Sequence, residues 1–272
     1  NATRPTDETI ALYREAMALA ANADEQKRVM SALATTQNVG GLLLAAEYLN
    51  DANLSEEAAV AVVKIATSLA GTNPSEVEAI LQVVAAQSKN EYVKKQSAEV
   101  MEKAAKFEDY LTAWQISGPY TAQGKKFEEL FDVLFAPEQE GASAEWKPAP
   151  VGTNKDMPYV LEIDKAVEAG ADRVAYLRTF VHADQDTDAL LELGSDDGAK
   201  VWLNGQQVFA VNKIRPLRPA SDSVKVQLKA GWNTLLLKVT QGGGQWSACA
   251  RLRTPDGAGP LAGLKFASTP QK

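Results

Sequence analysis

The chain has 272 residues (29.2 kDa), 45% hydrophobic and 23% charged, with a mean hydropathy of −0.23. That balance excludes a disordered chain and supplies apolar material for one large core or two ordinary ones. A net charge of −7 and a pI near 5.0 exclude the basic face that nucleic acid needs, while a single cysteine (Cys249) and a single histidine (His182) exclude an internal disulfide, a thiolate cluster and a His-rich metal site.

The composition changes near residue 110. Residues before it are rich in Ala, Glu, Lys, Gln and Leu, strong helix formers, with no tryptophan and only Pro5 and Pro74. All five tryptophans come later. The break predicts two domains, helical over 1–110 and sheet-forming over 111–272. No apolar run, the one around Gly40–Ala46 included, approaches the roughly 20 residues of a membrane span. The start at Asn1, without a basic and then apolar leader, reads as a mature chain after cleavage or a segment of something longer; Thr269-Pro270-Gln271-Lys272 reads as a linker or frayed end.

Thr6 is the expected cap of the first helix, with Thr9 three residues on and Asp7 and Glu8 at the positive end of the dipole. Ile10, Tyr13, Met17 and Ala20 then fall at helical spacing. Asp24 is the expected cap of a second helix holding Val29, Met30 and Leu33. Asn38-Val39-Gly40-Gly41 should interrupt the pattern, and Leu42–Leu49 resumes it. The helix from Ser55 carries Val60, Val63 and Ala66, and Gly71 is expected to end it in the left-handed region. Asn73 caps and Pro74 opens the next, with Val77, Ile80, Leu81 and Val84 as its stripe; a last helix runs from Glu91 to Tyr110. Pairs recur at roughly 30–40 residues. The pattern resembles HEAT or armadillo repeats, and a compact bundle fits it as well.

Beyond residue 110, turn signals such as Gly118-Pro119, Asn204-Gly205 and Gly242-Gly243-Gly244 separate short β-prone runs. Arg173–Val181 alternates, with Val174, Tyr176 and Phe180 on one side. Ala189–Leu193 is a further strand. Lys200–Leu203 and Gln206–Ala210 flank Asn204-Gly205, the strongest short-range hairpin signal, because both central positions need positive φ. Val224–Leu228 and Trp232–Val239 are expected to pair about Lys229-Ala230-Gly231, and Trp246–Arg253 closes the domain. The fold class is therefore α+β multidomain, with an N-terminal α-helical repeat or bundle and a C-terminal antiparallel β-sandwich of jelly-roll type.

One run, Leu191-Glu192-Leu193-Gly194-Ser195-Asp196-Asp197-Gly198-Ala199-Lys200-Val201-Trp202-Leu203-Asn204-Gly205, resembles the signature of β-sandwich accessory domains in secreted bacterial multidomain proteins. It is also similar to the matching strand pair of protective-antigen-type sugar-binding domains and of galactose-binding-like sandwiches in glycosidases. Trp114–Tyr120, Phe131–Glu138 and Leu228–Lys238 fit the same pattern, so the resemblance covers about 112–255. It is specific for fold and weak for function. It implies a non-catalytic carbohydrate-binding accessory module, periplasmic or extracellular, whose partners are a sugar and other domains of the same polypeptide; a structural or protein-interaction spacer is the alternative, and a glycosidase or lyase fragment a second.

In the sugar-binding relatives an Asp pair like Asp196-Asp197 holds calcium, which in turn holds sugar hydroxyls. Calcium takes 6–8 oxygens, so carbonyls and Asn204, Asn212 or Asp222 would have to contribute. The alternative is a plain turn in which Asp196 caps backbone N–H groups. Asp184-x-Asp186-x-Asp188 lacks the glycine and terminal Glu of a calcium loop. Trp202 and Trp232, within apolar strands, are expected in the core; Trp114 and Trp146 seal a junction or sandwich end. Trp246, after three glycines, is the candidate sugar platform. Arg215 and Arg218, in the basic loop Asn212–Pro219, could donate hydrogen bonds to hydroxyls or a carboxylate; a plain exposed connection is the alternative.

Catalysis finds little support. No nucleophile elbow or phosphate loop occurs, and His182 sits at a strand end. Glu138, Glu162 and Asp197 are available as glycosidase carboxylates, but any acidic protein offers such pairs.

Overall fold

The computed structural model describes residues 7–107 and 109–269, and the chain divides into two compact units, Asn1–Glu108 and Asp109–Lys272. Thr6 and Pro270-Gln271-Lys272, read above as a cap and a linker, lie outside the described residues.

Among its described residues the first unit holds six helices: α1 (Asp7–Leu19), α2 (Ala23–Leu33), α3 (Val39–Ala46), α4 (Ser55–Leu69), α5 (Pro74–Gln87) and α6 (Glu91–Ala105). Helix α4 is apolar on most of its circumference. It buries Ala58, Ala59, Ala61, Val62, Val63, Ile65, Ala66 and Leu69, and accordingly packs against α2, α3, α5 and α6. The caps differ from expectation at three places. Asn22, not Asp24, caps α2, accepting from Glu25 N at 3.0 Å. Helix α3 begins at Val39 and takes in both glycines, because Asn38 Oδ1 accepts from Gly40 N at 2.6 Å and a Cβ on Gly41 would stand 2.3 Å from Thr36 Oγ1. Gly71 is not left-handed; its missing side chain leaves room for the Phe107 ring, 2.8 Å from where a Cβ would lie. Helix α6 ends at Ala105, and Tyr110 belongs to the second unit, where its ring stacks 4.0 Å from that of Tyr159.

The second unit contains β1 (Gln115–Tyr120), α7 (Phe127–Leu130), a 3-10 turn (Ala136–Glu138), β2 (Lys147–Pro148), β3 (Leu161–Glu162), α8 (Ile163–Ala166), β4 (Arg173–Ala183), β5 (Thr187–Asp196), β6 (Ala199–Leu203), β7 (Gln206–Val211), β8 (Asp222–Leu228), β9 (Gly231–Gln241), β10 (Ser247–Arg253) and β11 (Lys265–Ala267). They form two antiparallel sheets. The larger runs β2-β1-β4-β9-β6-β7, with β11 also on β4; the smaller runs β3-β10-β5-β8. Strand alternation builds the core between them. Leu177 and Val181 of β4, Val201 and Leu203 of β6, and Leu235, Leu237 and Val239 of β9 face Leu191 and Leu193 of β5, Leu228 of β8 and Leu252 of β10. At roughly 1.5–3 kcal/mol for each large apolar side chain, this layer is the main stabilising contribution of the unit.

Asn204 (φ 51°) and Gly205 (φ 80°) make the expected hairpin between β6 and β7. The pairing expected for β8 and β9 does not form. Strand β8 joins β5 and β9 joins β4 and β6, so Lys229-Ala230 carries the chain from one sheet to the other. Buried Asn233 holds that corner. Its Nδ2 donates to Lys229 O at 2.7 Å and Gly231 O at 3.1 Å, and its Oδ1 accepts from Lys229 N at 2.8 Å.

The outer face of the larger sheet is partly roofed. The segment after β1 lays Leu130, Val133, Phe135 and Trp146 over Val174 and Tyr176, a second, smaller apolar cluster.

Candidate functional site

Period-two alternation decides which side chains reach the outer face. In β6, Ala199, Val201 and Leu203 point inward, so Lys200 and Trp202 point outward. The expectation that Trp202 is a core residue is therefore corrected. Its neighbours in sequence are apolar because they face the core, and it alternates with them. Trp232 is likewise half-buried on the outer face, edge-on to His182 with ring centroids 5.1 Å apart. Sheet register then sets Gln115, Arg178, Leu236 and Trp202 in one row across β1, β4, β9 and β6.

Arg178, Leu236 and Trp202 of that row form the floor of an open cleft of about 390 Å³. One wall is the roofing segment, with the 3-10 turn, Gln139 and Trp146. At the opposite side stand Asn204, Gly205 and Thr234. Arg178 Cζ lies 4.0 Å from the Trp146 ring centroid and 5.3 Å from that of Phe180. Its Nη2 donates to Gln115 Oε1 at 2.7 Å, and its buried Nε has no hydrogen-bond partner. Burial pushes the guanidinium pKa below its ordinary value.

The wall is fastened by charge. Lys238, fully buried, donates from Nζ to Glu138 Oε1 at 2.8 Å and to Val133 O at 2.7 Å, and Tyr176 donates its hydroxyl to the same Glu138 oxygen. Burial lowers the Lys238 pKa against the opposing pull of Glu138, and burial with the Glu138 charge raises that of Tyr176. Lys200 Nζ bonds Asp132 Oδ1 at 2.6 Å and lies 4.3 Å over the Phe131 ring. Among the cleft-lining residues Glu138 is the one carboxylate, and Lys238 and Tyr176 engage it.

The Asp196-Asp197 turn lies elsewhere, at the other end of the five-residue strand β6 from Asn204, about 16 Å along. Its peptide bond is cis. Both Asp197 carboxylate oxygens accept backbone N–H groups, Oδ1 from Arg215 at 2.9 Å and Oδ2 from Gly242 at 2.8 Å. The Arg215 side chain donates from Nη2 to Ser195 Oγ at 2.6 Å and from Nε to Asp197 O at 3.3 Å, and it pairs with Asp222. Burial, with the Asp197 charge beside it, pushes Asp196 up to about 6.

These donors do not suit calcium. The expected helper Asp222 is engaged by Arg215, Asp197 is filled by backbone donors, and the positive charge beside the turn is a guanidinium. Among the described residues no group of three or more His, Cys, Asp or Glu is placed to hold a metal.

The remaining expected site residues scatter. Asn212 Nδ2 donates to Glu128 O at 3.0 Å, and Arg218 is exposed, its carbonyl 2.4 Å from where a Cβ on Gly194 would lie. Trp246 is not an exposed platform. It is fully buried in the intersheet core, and the glycines before it form the exposed loop instead. Asp186 bonds Ala230 N and Lys229 Nζ, and Asp188 bonds Gln227, so that acidic run does not converge. Of the expected binding residues Asn204 lines the cleft, and Glu138, available as a carboxylate, lines it too; Trp146 was expected only as a seal, and Arg178, which the alternation of β4 places outward, carried no expectation.

No family model matches the chain, and no curated protein matches it. Among solved structures the chain is similar to a family 35 carbohydrate binding module from an environmental isolate, at 19% identity and TM-score 0.27, over 35% of this chain and 72% of that one. It is similar to a PA14 sugar-binding domain from an RTX adhesin at 18% identity and TM-score 0.26, over 35% and 54% of the two chains. A beta-glucosidase from Kluyveromyces marxianus matches at 10% identity and TM-score 0.33, over 53% of this chain and 17% of that enzyme. At these values the likenesses decide neither ligand nor activity.

Proposed function

We propose that the second unit is a non-catalytic carbohydrate-binding module, with its ligand in the cleft between Trp146 and Trp202, and that it serves as an accessory part of a larger secreted or periplasmic protein. The observation that carries this is the pairing of two half-buried indoles with Arg178, Asn204, Thr234 and Gln139 around one open cleft. Indole faces take the C–H faces of a sugar ring, and amide, hydroxyl and guanidinium groups take its hydroxyls. The lone, already engaged Glu138 does not supply the carboxylate pair that glycoside hydrolysis uses. The helical unit is read as a HEAT-like scaffold of the same polypeptide.

A glycan array probed with the whole chain tests this. The wild type retains at least one glycan class, and Trp202→Ala or Trp146→Ala weakens retention about tenfold or more. A wild-type chain that retains no glycan overturns the reading.

A further inference from the structure

We infer that the ligand of this cleft is an acidic glycan, and that the carboxylate of a hexuronate residue pairs with Arg178. The inference rests on the carbohydrate reading above and narrows it to a substrate class.

Charge bookkeeping within the cleft supports it. Two charged residues line it, Glu138 and Arg178. Glu138 is neutralised from behind by Lys238, whose ammonium is wholly buried. Among the described residues Arg178 has no such partner. Its one side-chain hydrogen bond goes to the neutral amide of Gln115, its Nε meets nothing, and no carboxylate among the described residues stands close enough to hold its charge up. A half-buried guanidinium is ordinarily paired, because removing it from water without an anion costs free energy. Here the aromatic faces of Trp146 and Phe180 hold it in place.

The geometry favours a carboxylate on a ring. A guanidinium is a planar fork that matches a planar carboxylate through two parallel hydrogen bonds. Trp202 shares its cross-strand row with Arg178, one strand beyond Leu236. Adjacent strands lie roughly 4.8 Å apart, so Trp202 stands about 10 Å from Arg178, the span of about two sugar rings. A uronate at Arg178 and its neighbour over Trp202 would occupy the floor together, with Asn204 and Thr234 at the rim.

Titration calorimetry of the full chain with an oligogalacturonate and with its methyl ester separates the two readings. The acid form binds, the ester binds about tenfold to a hundredfold more weakly, and added salt weakens only the acid form. Arg178→Met erases the difference between acid and ester, with Arg178→Lys intermediate. The thermal midpoint of each variant confirms that it is folded. Equal binding of acid and ester, or a preference for a neutral or a sulfated oligosaccharide over the uronate, overturns the inference while the carbohydrate reading stands. Loss of every glycan from the wild type overturns both.

Discussion

Lys238 Nζ stands 2.8 Å from Glu138 Oε1, with the lysine side chain entirely out of solvent and the glutamate nearly so. One partner comes from the middle of strand β9 and the other from the 3-10 turn of the roofing segment, so the pair fastens the cleft wall to the sheet. Desolvation makes such a pair a weak source of net stability, but breaking it strands a buried charge. Lys238→Met is expected to cost about 3–5 kcal/mol in urea denaturation, and Lys238→Met combined with Glu138→Leu to recover part of that loss. A single variant as stable as wild type would show that the wall is held by its apolar contacts alone.

Asp196 sets a pH dependence. Its folded value stands near 6, above the ordinary 3.8, chiefly through burial and then through Asp197 and Asp164. An acid with a raised folded value holds its proton more tightly in the native state, so stability falls as pH rises between those values, and the cost is fully present above them. Asp196→Asn removes the titration. The thermal midpoint at neutral pH is expected to rise, and its decline between about pH 4 and 6 to flatten. A variant that keeps the wild-type slope would assign the decline to another group.

At the same turn, Arg215 supplies the positive charge beside Asp197 and Asp222. Millimolar calcium is expected to leave the thermal midpoint unchanged, because ligands that bind only the native state raise it by mass action and no fitting donor set is free here. Arg215→Ala should lower stability by about 2–4 kcal/mol, since it leaves the Asp222 carboxylate without its partner. A calcium-dependent rise in the wild type would reinstate the metal site.

The two tryptophans exchange the roles that their sequence surroundings suggest. Trp246→Ala empties a fully buried core position and should cost about 3–5 kcal/mol. Trp202→Ala truncates a half-buried side chain on the outer face and should cost no more than about 1.5 kcal/mol while weakening glycan retention about tenfold or more. Equilibrium denaturation of both variants checks the contrast, and a loss at Trp202 as large as that at Trp246 would mean that the two faces of β6 are exchanged.

The amino-acid sequence alone determined the helical and sheet halves, the break near residue 110 and the Asn204-Gly205 hairpin. Each follows from local preferences: helix formers without tryptophan, period-two alternation, and a dipeptide that tolerates positive φ. Only the tertiary structure decided that β8 and β9 lie in different sheets, since a connection as short as Lys229-Ala230 reads the same whether the chain turns back or crosses over. It also decided the site. Trp202 lies between Val201 and Leu203 and Trp246 between Gln245 and Ser247, so their neighbours suggest the wrong one for the core; which one meets solvent depends on the phase of a strand against a partner sheet. Arg178, Trp146 and Trp202 are far apart in the chain, and cross-strand register together with a roofing segment brings them to one cleft, which no local pattern encodes.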